Sequence, residues 1–328
     1  MPNIVQRSLI KDPEFTCGAD EAAYFKEGNI NVQTLSSDTD LFKAVAEGNC
    51  QLNWFALADA AQHKGLPSLL QSARHRAQCL LCSSPATQIT GYAPHLIELS
   101  APSAESNSWK QIFYYSKKLP CITLIATQNN FDILFDRLSN CCEVKMPDGE
   151  VMYLAFWDPA ILGVLMGQID DDTLHIKGPV MNSEQKNWMT EKMAHWWYWD
   201  RNGCLHEISV DKKAEGRQES IRTLTLTQSQ VDDLVEASSP DQILFHLCAN
   251  QPKLIENILP SKRYEFVRRV LSSARELGLE SMQDLVNFSC ISLIYGERLQ
   301  SDIGILNLLQ QVKEKKIKLF NAINLLPD

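Results

Sequence analysis

Two cysteines, Cys79 and Cys82, have the Cys-x-x-Cys spacing of redox and metal sites. A redox motif needs its first cysteine at a helix N-terminus, where the thiolate is stabilised, whereas this pair lies in a predicted strand, Ala77 to Cys82. A zinc site needs two more ligands, and no second Cys-x-x-Cys or histidine pair follows. We therefore interpret the pair as buried structural thiols, and we predict neither a metal nor another cofactor.

Three consecutive acids, Asp170 to Asp172, follow a predicted helix and could bind a divalent cation. They lack the glycine and the terminal glutamate of a calcium loop. Three acids after a helix are more often a solvated loop. We interpret them in that way.

The aromatic run His195 to Trp199 has the most unusual composition in the chain. Strand alternation places Trp196 and Tyr198 on one face and Trp197 and Trp199 on the other. One face is expected to be core, and the other could bind a partner, because aromatic residues dominate interface hot spots. We favour a core or domain-junction role for the run, and a partner-binding surface is the alternative. The candidate partner-binding residues are Trp196, Trp197, Trp199, Trp157 and Arg201.

No arrangement of residues in the sequence supports catalysis. The chain has no Gly-x-Ser-x-Gly elbow, no Walker loop and no Gly-x-Gly-x-x-Gly motif. Lone histidines in such a chain are usually structural. No partner can be identified from the sequence for His63, His75, His95 and His206. We predict that the protein is not an enzyme.

Composition and charge favour a cytoplasmic protein. The net charge is -9 and the pI is about 5.3, so no global basic field favours nucleic acid or an anionic membrane. No apolar run is long enough to span a bilayer, and Met1 to Asp12 lack the hydrophobic core of a signal peptide. Ten scattered cysteines in 328 residues fit reduced thiols better than a disulfide framework.

A hairpin that leads into a helix organises the middle of the chain. Pro147, Asp148 and Gly149 suit a turn between a strand before them and a strand over Val151 to Trp157, because Pro fixes φ and Gly permits a positive φ. The outgoing strand is apolar on both faces, as expected of a strand covered on two sides. Asp158 can then cap the next helix, with Pro159 at its first position.

Strands alternate with helices from residue 51 to residue 211, which predicts an α/β domain with a mixed sheet. Residues 1–50 are interpreted as an N-terminal extension packed on this domain. A charged segment with few apolar residues, 212–222, is the predicted linker. From residue 223 to residue 328 the apolar period is helical, which predicts an all-α C-terminal lobe of about five helices.

Five motifs, in their order and spacing, carry a resemblance to a known family. They are Asn53 to Gln62 with Trp54 and Asp59, Tyr92 to Leu99 with Glu98, Pro147-Asp148-Gly149, Phe156 to Leu162 with Asp158-Pro159, and Gly178-Pro179. Together they resemble the bacterial type VI secretion effector chaperones. These proteins are also called adaptors, and their N-terminal domain was long catalogued as of unknown function. The resemblance covers about residues 52–180.

This resemblance implies a cytoplasmic, non-enzymatic protein with two partners. It would bind a cognate secreted effector and help to load it onto the valine-glycine repeat spike protein (VgrG), with no role for nucleic acid or membrane. Family hairpins often read Phe-Arg-Phe-Tyr-Asp-Pro-Arg, whereas Leu154 to Ala160 lack both arginines. Contacts made by those arginines in relatives therefore cannot be transferred to this chain.

We expect a cleft between the two lobes, close to the tryptophans, to hold a segment of the effector. Single replacement of Trp196, Trp197 or Trp199 by alanine should then weaken effector binding and leave the melting temperature nearly unchanged. Two alternatives stay open at this point. One is an immunity-type protein that binds and neutralises a toxin, and the other is a hydrolase whose site is assembled from distant residues.

Overall fold

The structure is a computed structural model of the chain, and it describes residues 32–48, 51–63, 65, 76–81, 92–103, 106–209 and 223–327. The chain divides into two compact units, with the division between Ala237 and Ser238. The predicted linker, 212–222, lies outside the described residues, as do His75, Cys82 and most of the predicted N-terminal extension.

The described part of the first unit alternates helices with short strands. Its helices are α1 (Val32–Gly48), α2 (Asn107–Ser116), α3 (Phe131–Cys141), α4 (Pro159–Met166) and α5 (Ser183–Thr190). Its strands are β1 (Asn53–Asp59), β2 (Ala77–Cys79), β3 (Pro94–Leu99), β4 (Ile122–Thr127), β5 (Glu143–Lys145), β6 (Val151–Tyr153), β7 (Met193–Trp199), β8 (Leu205–Glu207) and β9 (Leu224–Thr225).

Six strands form one sheet in the order β2-β3-β1-β4-β7-β8, and every neighbouring pair is antiparallel. Alternate residues of β1 enter two different hydrophobic cores: Phe55 and Leu57 pack with α3 and α4, whereas Trp54 and Ala56 pack with α1 and α2. Helices therefore cover both faces of the sheet. This burial explains why β1 and β4 are apolar along almost their whole length.

A second, three-stranded sheet has the order β6-β5-β9. The predicted turn joins β5 to β6: Gly149 has φ +91°, its N–H donates to Met146 O at 2.9 Å, and Asp148 Oδ1 accepts from Glu150 N at 3.0 Å. β9 pairs with β5 in parallel, whereas the other pairings among the described strands are antiparallel. The predicted class, an α/β region followed by a helical region, is confirmed.

The strand predicted over Val151 to Trp157 is wrong in its length and its position. β6 ends at Tyr153 and lies at the edge of its sheet. Beyond it the chain turns, with Phe156 N donating to Leu154 O at 2.8 Å, and the apolar residues that follow are buried in the core. Their hydrophobicity reflects a buried turn, which cannot be distinguished from a buried strand by composition alone.

Helix α4 begins as its sequence predicts. Asp158 Oδ1 accepts hydrogen bonds from Ala160 N at 2.8 Å and Ile161 N at 3.3 Å, and Pro159 occupies the first turn. The carboxylate satisfies N–H groups that have no partner within the helix, and its negative charge suits the helix N-terminus. Gly167, with φ +79°, ends the helix in a left-handed conformation that favours glycine.

The second unit, described from Ser238 to residue 327, is helical. Its core contains Ile243, Leu271, Leu285 and Ile305. Ser239-Pro240 is a sequence that often begins a helix, but Pro240 lies inside the continuous helix α6 (Gln228–Asn250). The helices are α6 (Gln228–Asn250), which begins in the first unit, α7 (Pro252–Ile255), α8 (Pro260–Glu276), α9 (Met282–Tyr295), α10 (Arg298–Ser301), α11 (Ile303–Lys313) and α12 (Leu319–Ile323).

Among the described residues, no helix combines the length and the apolar composition needed to cross a bilayer.

Candidate functional site

The predicted partner-binding tryptophans are all core residues. Trp157, Trp196 and Trp199 have no exposed surface, and Trp197 is 1% exposed. The predicted alternation along β7 is present, since Trp196 and Tyr198 enter one core and Trp197 and Trp199 the other. Both faces of β7 are covered by packing, so these indoles offer no surface to a partner, and we assign them a structural role.

The aromatic core that contains Trp197 is densely packed. The Trp197 ring stacks on Trp54 with centroids 5.7 Å apart and planes at 4°, and it meets Phe42 edge-on at 5.1 Å. The buried indole N–H groups of its neighbours in β7 are satisfied: Trp196 donates to Thr123 Oγ1 at 2.9 Å and Trp199 to Asp38 Oδ2 at 3.2 Å. Such paired aromatic groups stabilise a core beyond their buried area.

Arg201, the fifth candidate, is half-buried in the turn between β7 and β8. The turn contains Asn202-Gly203, a dipeptide that is typical of hairpin turns. Gly203 has φ +78°, and Asp200 N donates to Cys204 O at 2.9 Å. Arg201 therefore lies next to the hairpin end rather than on a tryptophan-lined surface.

A cluster of polar side chains lies at this end of the first unit. One ligand atom each from Asp171, Asp200 and His206 lie within 4.8 Å of one another, and all three residues are buried. Tyr198 OH donates to Asp171 Oδ2 at 2.9 Å, and His206 Nε2 lies 3.1 Å from Asp200 Oδ2. Within the described residues, these three side chains form the group whose ligand atoms could hold a metal ion. We call Asp171, Asp200 and His206 the polar cluster.

The polar cluster corrects our interpretation of the three acids as a solvated loop. Asp171 has no exposed surface, whereas its neighbours Asp170 and Asp172 are exposed. Asp171 Oδ1 accepts from the backbone N–H and the hydroxyl of Thr173 at 2.8 and 2.7 Å. These two donors and the Tyr198 hydroxyl compensate for the cost of burying the carboxylate.

Asp200 is held in the same manner. Its Oδ1 accepts from the backbone N–H groups of Asn202 at 2.8 Å and Cys204 at 2.9 Å, and its Oδ2 faces His206. The remaining ring nitrogen, His206 Nδ1, lies 3.5 Å from Asp170 Oδ2. The polar cluster could ligate a divalent cation only by giving up hydrogen bonds that protein donors already make. Its geometry favours a proton held between His206 and Asp200 within the β7–β8 hairpin, while the Tyr198 hydroxyl joins the hairpin to the loop at residue 171.

The charges of the cluster shift two pKa values. The hydrogen bond to Asp200 raises the pKa of His206 above its ordinary value, although desolvation opposes it, and the nearby Asp171 and Asp170 raise it further. Desolvation raises the pKa of the Tyr198 phenol, and the hydrogen-bonded Asp171 adds to that shift. Tyr198 is therefore a neutral hydrogen-bond donor, and His206 keeps its positive charge to a higher pH than a free histidine.

We expect the first unit to lose stability as pH rises through the folded-state pKa of His206. Because the folded pKa is raised, the stabilisation is fully present below the unfolded value of about 6.5 and is lost as pH rises from there through the folded value. The free energy of unfolding, measured from about pH 6 to about pH 8.5, should fall in the wild type and fall less in His206→Gln.

His95→Gln is the matched control, because burial lowers the pKa of His95. The effect of His95→Gln on the pH dependence of the unfolding free energy should therefore appear only below the ordinary histidine pKa. If the unfolding free energy falls equally steeply with pH above about pH 7 in the wild type and in His206→Gln, His206 holds no additional proton in the folded state.

Among the described residues, the cysteines with a shifted pKa are not activated as nucleophiles. Seven cysteines lie in the described ranges with no disulfide among them, and Cys79, Cys121, Cys141 and Cys142 are buried. Burial raises the pKa of the Cys141 thiol to about 12 and raises the pKa of Cys121 and of Cys142 as well. A reactive cysteine needs the opposite shift, because the thiolate is the nucleophile. Since Cys82 lies outside the described residues, the Cys-x-x-Cys pair itself stays untested.

The residues that carry the family resemblance lie at structural positions. Trp54 and Asp59 are buried in β1, and Asp59 Oδ1 accepts from Ala61 N at 2.9 Å. Glu98 lies opposite Phe55 in the β1–β3 register, and Tyr92 precedes β3. Gly178 has φ +69° and forms a cis peptide with Pro179. None of these residues belongs to the polar cluster.

Comparison with known proteins identifies one domain. A family model described as a domain of unknown function (DUF4123) matches residues 54–175. The match begins in β1 and ends four residues after Asp171, so it contains β1 to β6 and α2 to α4 but not β7, β8 or β9. It covers less than half of the 328 residues. No curated protein and no solved structure matches the chain.

Sequence reasoning missed the polar cluster because its members are far apart in the chain. Tyr198 and Asp171 are separated by 27 residues. Local hints exist, since the Asp171-x-Thr173 pattern suits a side-chain turn and the β7–β8 hairpin brings His206 back beside Tyr198. The pairing of that hairpin with the loop at Asp171 depends on tertiary packing.

Proposed function

We propose that this protein is a non-enzymatic chaperone or adaptor that binds a cognate type VI secretion effector and helps to load it onto the VgrG spike. The observation that carries the proposal is the DUF4123 match at residues 54–175, a family known in contexts associated with type VI effectors. The motifs that resemble those of effector chaperones lie in the same segment or directly after it.

The physical character of the first unit supports this role. A chaperone needs a rigid scaffold with an accessible recognition surface, and it needs no activated catalytic group. The six-stranded sheet is covered on both faces and supplies the scaffold. The β5–β6 hairpin is an exposed element, with the apolar side chains Val151 and Tyr153 reaching solvent. The raised thiol pKa values and the hydrogen-bonded carboxylates suit a structural framework.

The proposal includes the location and the partners. The protein acts in the cytoplasm, before secretion, on two protein partners, the effector and VgrG. It uses no cofactor and binds neither nucleic acid nor membrane. Its net charge of -9 favours protein partners with basic surfaces over polyanions.

Co-expression tests the proposal directly. The full chain is expressed with the effector encoded beside its gene and with the corresponding VgrG, captured by an affinity tag, and analysed by size-exclusion chromatography with light scattering. We expect a stable complex with the effector, from which the effector is released in active form. An effector from an unrelated secretion cluster is the control and should not be retained.

Two results contradict the proposal. The absence of a complex with either protein would remove the adaptor role. Complete loss of toxin activity at an equimolar ratio, with no recruitment to VgrG, would instead indicate an immunity-type protein.

A further inference from the structure

Among the described residues, strand β6 leaves part of its backbone unpaired at the edge of the three-stranded sheet. The register pairs Glu143 with Tyr153, Val144 with Met152 and Lys145 with Val151. Just outside these pairs, Leu154 N donates to Cys142 O at 2.8 Å and Met146 N to Glu150 O at 2.7 Å. Because hydrogen-bonded and non-hydrogen-bonded pairs alternate in an antiparallel ladder, Val144 and Met152 form the hydrogen-bonded pair between them.

This alternation fixes the direction of the other backbone groups of β6. The N–H and C=O of Val151 and of Tyr153 point away from β5, towards the open edge. Within the part of the chain that the structure describes, β6 pairs with β5 alone. The edge therefore presents two N–H donors and two C=O acceptors at the spacing of a strand.

The side chains of β6 do not protect this edge. Val151 is 58% exposed and Tyr153 is 36% exposed, and both project from the same face of the sheet. Edge strands are commonly protected by a charge, a proline or a bulge, and Val151-Met152-Tyr153 contains no charged residue and no proline. Met152 is on the face towards the core, opposite the buried Val144.

The surrounding charges indicate what kind of strand could pair here. The hairpin carries three exposed carboxylates, Glu143, Asp148 and Glu150, against one ammonium group, Lys145. Glu143 lies directly across from Tyr153, and its charge, after desolvation, contributes to the raised pKa of that phenol. A second copy of the same edge would bring like charges together, which disfavours self-pairing. A segment with Lys or Arg beside its apolar residues is complementary.

We propose that the open edge of β6 binds an extended, basic and apolar segment of the effector as an added strand. Main-chain hydrogen bonds to Val151 and Tyr153 provide the pairing, and Val151, Tyr153 and Glu143 select the side chains of the segment. This inference rests on the proposed function, since it names the surface of the chaperone that recognises the effector.

Two variants block pairing at the edge of β6 while leaving the β5–β6 ladder intact. Val151→Lys places a protecting charge on the edge, and Tyr153→Pro removes an outward N–H that the β5–β6 ladder does not use. Each variant should raise the Kd for the effector encoded beside this gene by at least about tenfold. Ile133→Lys is the control, because Ile133 is 50% exposed on helix α3 of the same unit and should leave the Kd unchanged.

Hydrogen exchange provides a measurement that needs no variant. In the free chain, the amides of Val151 and Tyr153 should exchange quickly while the amide of Met152 is protected. In the complex with the full effector, all three should be protected. Slow exchange at Val151 and Tyr153 in the free chain would mean that the edge is already covered, and fast exchange in the complex would mean that the effector binds elsewhere.

The outcomes distinguish this inference from the proposed function. If the wild-type chain forms no complex, the chaperone role fails. If the complex forms and both edge variants bind as tightly as the wild type, the role stands and the edge inference is wrong. If light scattering shows a dimer that Val151→Lys dissociates, the edge pairs two copies of this chain, and the inference is also wrong.

Discussion

Replacement of Trp197 by alanine is expected to destabilise the first unit by about 3–5 kcal/mol. The indole is 1% exposed, stacked on Trp54 and in contact with Phe42, so its removal deletes buried area and leaves a cavity among rigid rings. Denaturant unfolding followed by tryptophan fluorescence measures the loss, with the midpoint expected to shift at an unchanged slope.

This outcome is the reverse of the expectation from the sequence, in which the tryptophans contact a partner and the melting temperature is preserved. Ile133→Ala serves as the control, because Ile133 is half exposed and its truncation should change stability by about 0.5 kcal/mol or less. A Trp197→Ala protein as stable as this control would show that the aromatic core contributes little.

Replacement of Gly178 by alanine should cost about 2–5 kcal/mol. Gly178 has φ +69°, and a Cβ there would overlap the carbonyl oxygen of Val164. That carbonyl accepts from Val180 N at 3.1 Å, and Leu165 O accepts from Met181 N at 3.1 Å, so the segment after Gly178 is fixed against α4. The methyl group would have to displace this contact, and the free energy of unfolding measures the result.

Gly149→Ala separates backbone strain from the steric contact. Gly149 has φ +91° in the same unit, but the Cβ added there would meet only the end of the Lys145 side chain, at 4.0 Å. It should therefore show only the cost of a left-handed conformation, about 1–2 kcal/mol. Equal losses in the two variants would rule out the contact with Val164 as a cause.

Features that depend on neighbouring residues were predictable from the sequence. The Asp158 cap, the turn at Gly149 and the alternation along β7 each require only local chemistry, and each is present. The helical region after the sheet domain was also predictable, because a sustained apolar period of 3.6 residues is a long and redundant pattern.

Features that depend on distant parts of the chain were not predictable. The sequence shows that β7 has two aromatic faces, but the helices that cover them come from earlier parts of the chain, α1 and α2 on one face and α3 and α4 on the other. The burial of Asp171 depends on Tyr198 and on the turn at Thr173. Pro240 is accommodated inside a helix, which overrides its local tendency to begin one.

The parallel pairing of β9 with β5 has a consequence for biosynthesis. Leu224 pairs with Val144, a residue that leaves the ribosome 80 positions earlier, and Leu226 and Val231 complete the same core. The first unit cannot close until translation has passed Ala237, well beyond the end of the family match at residue 175. Until then the apolar surfaces that this segment covers are exposed on the nascent chain, so folding of the first unit depends on the order of its synthesis.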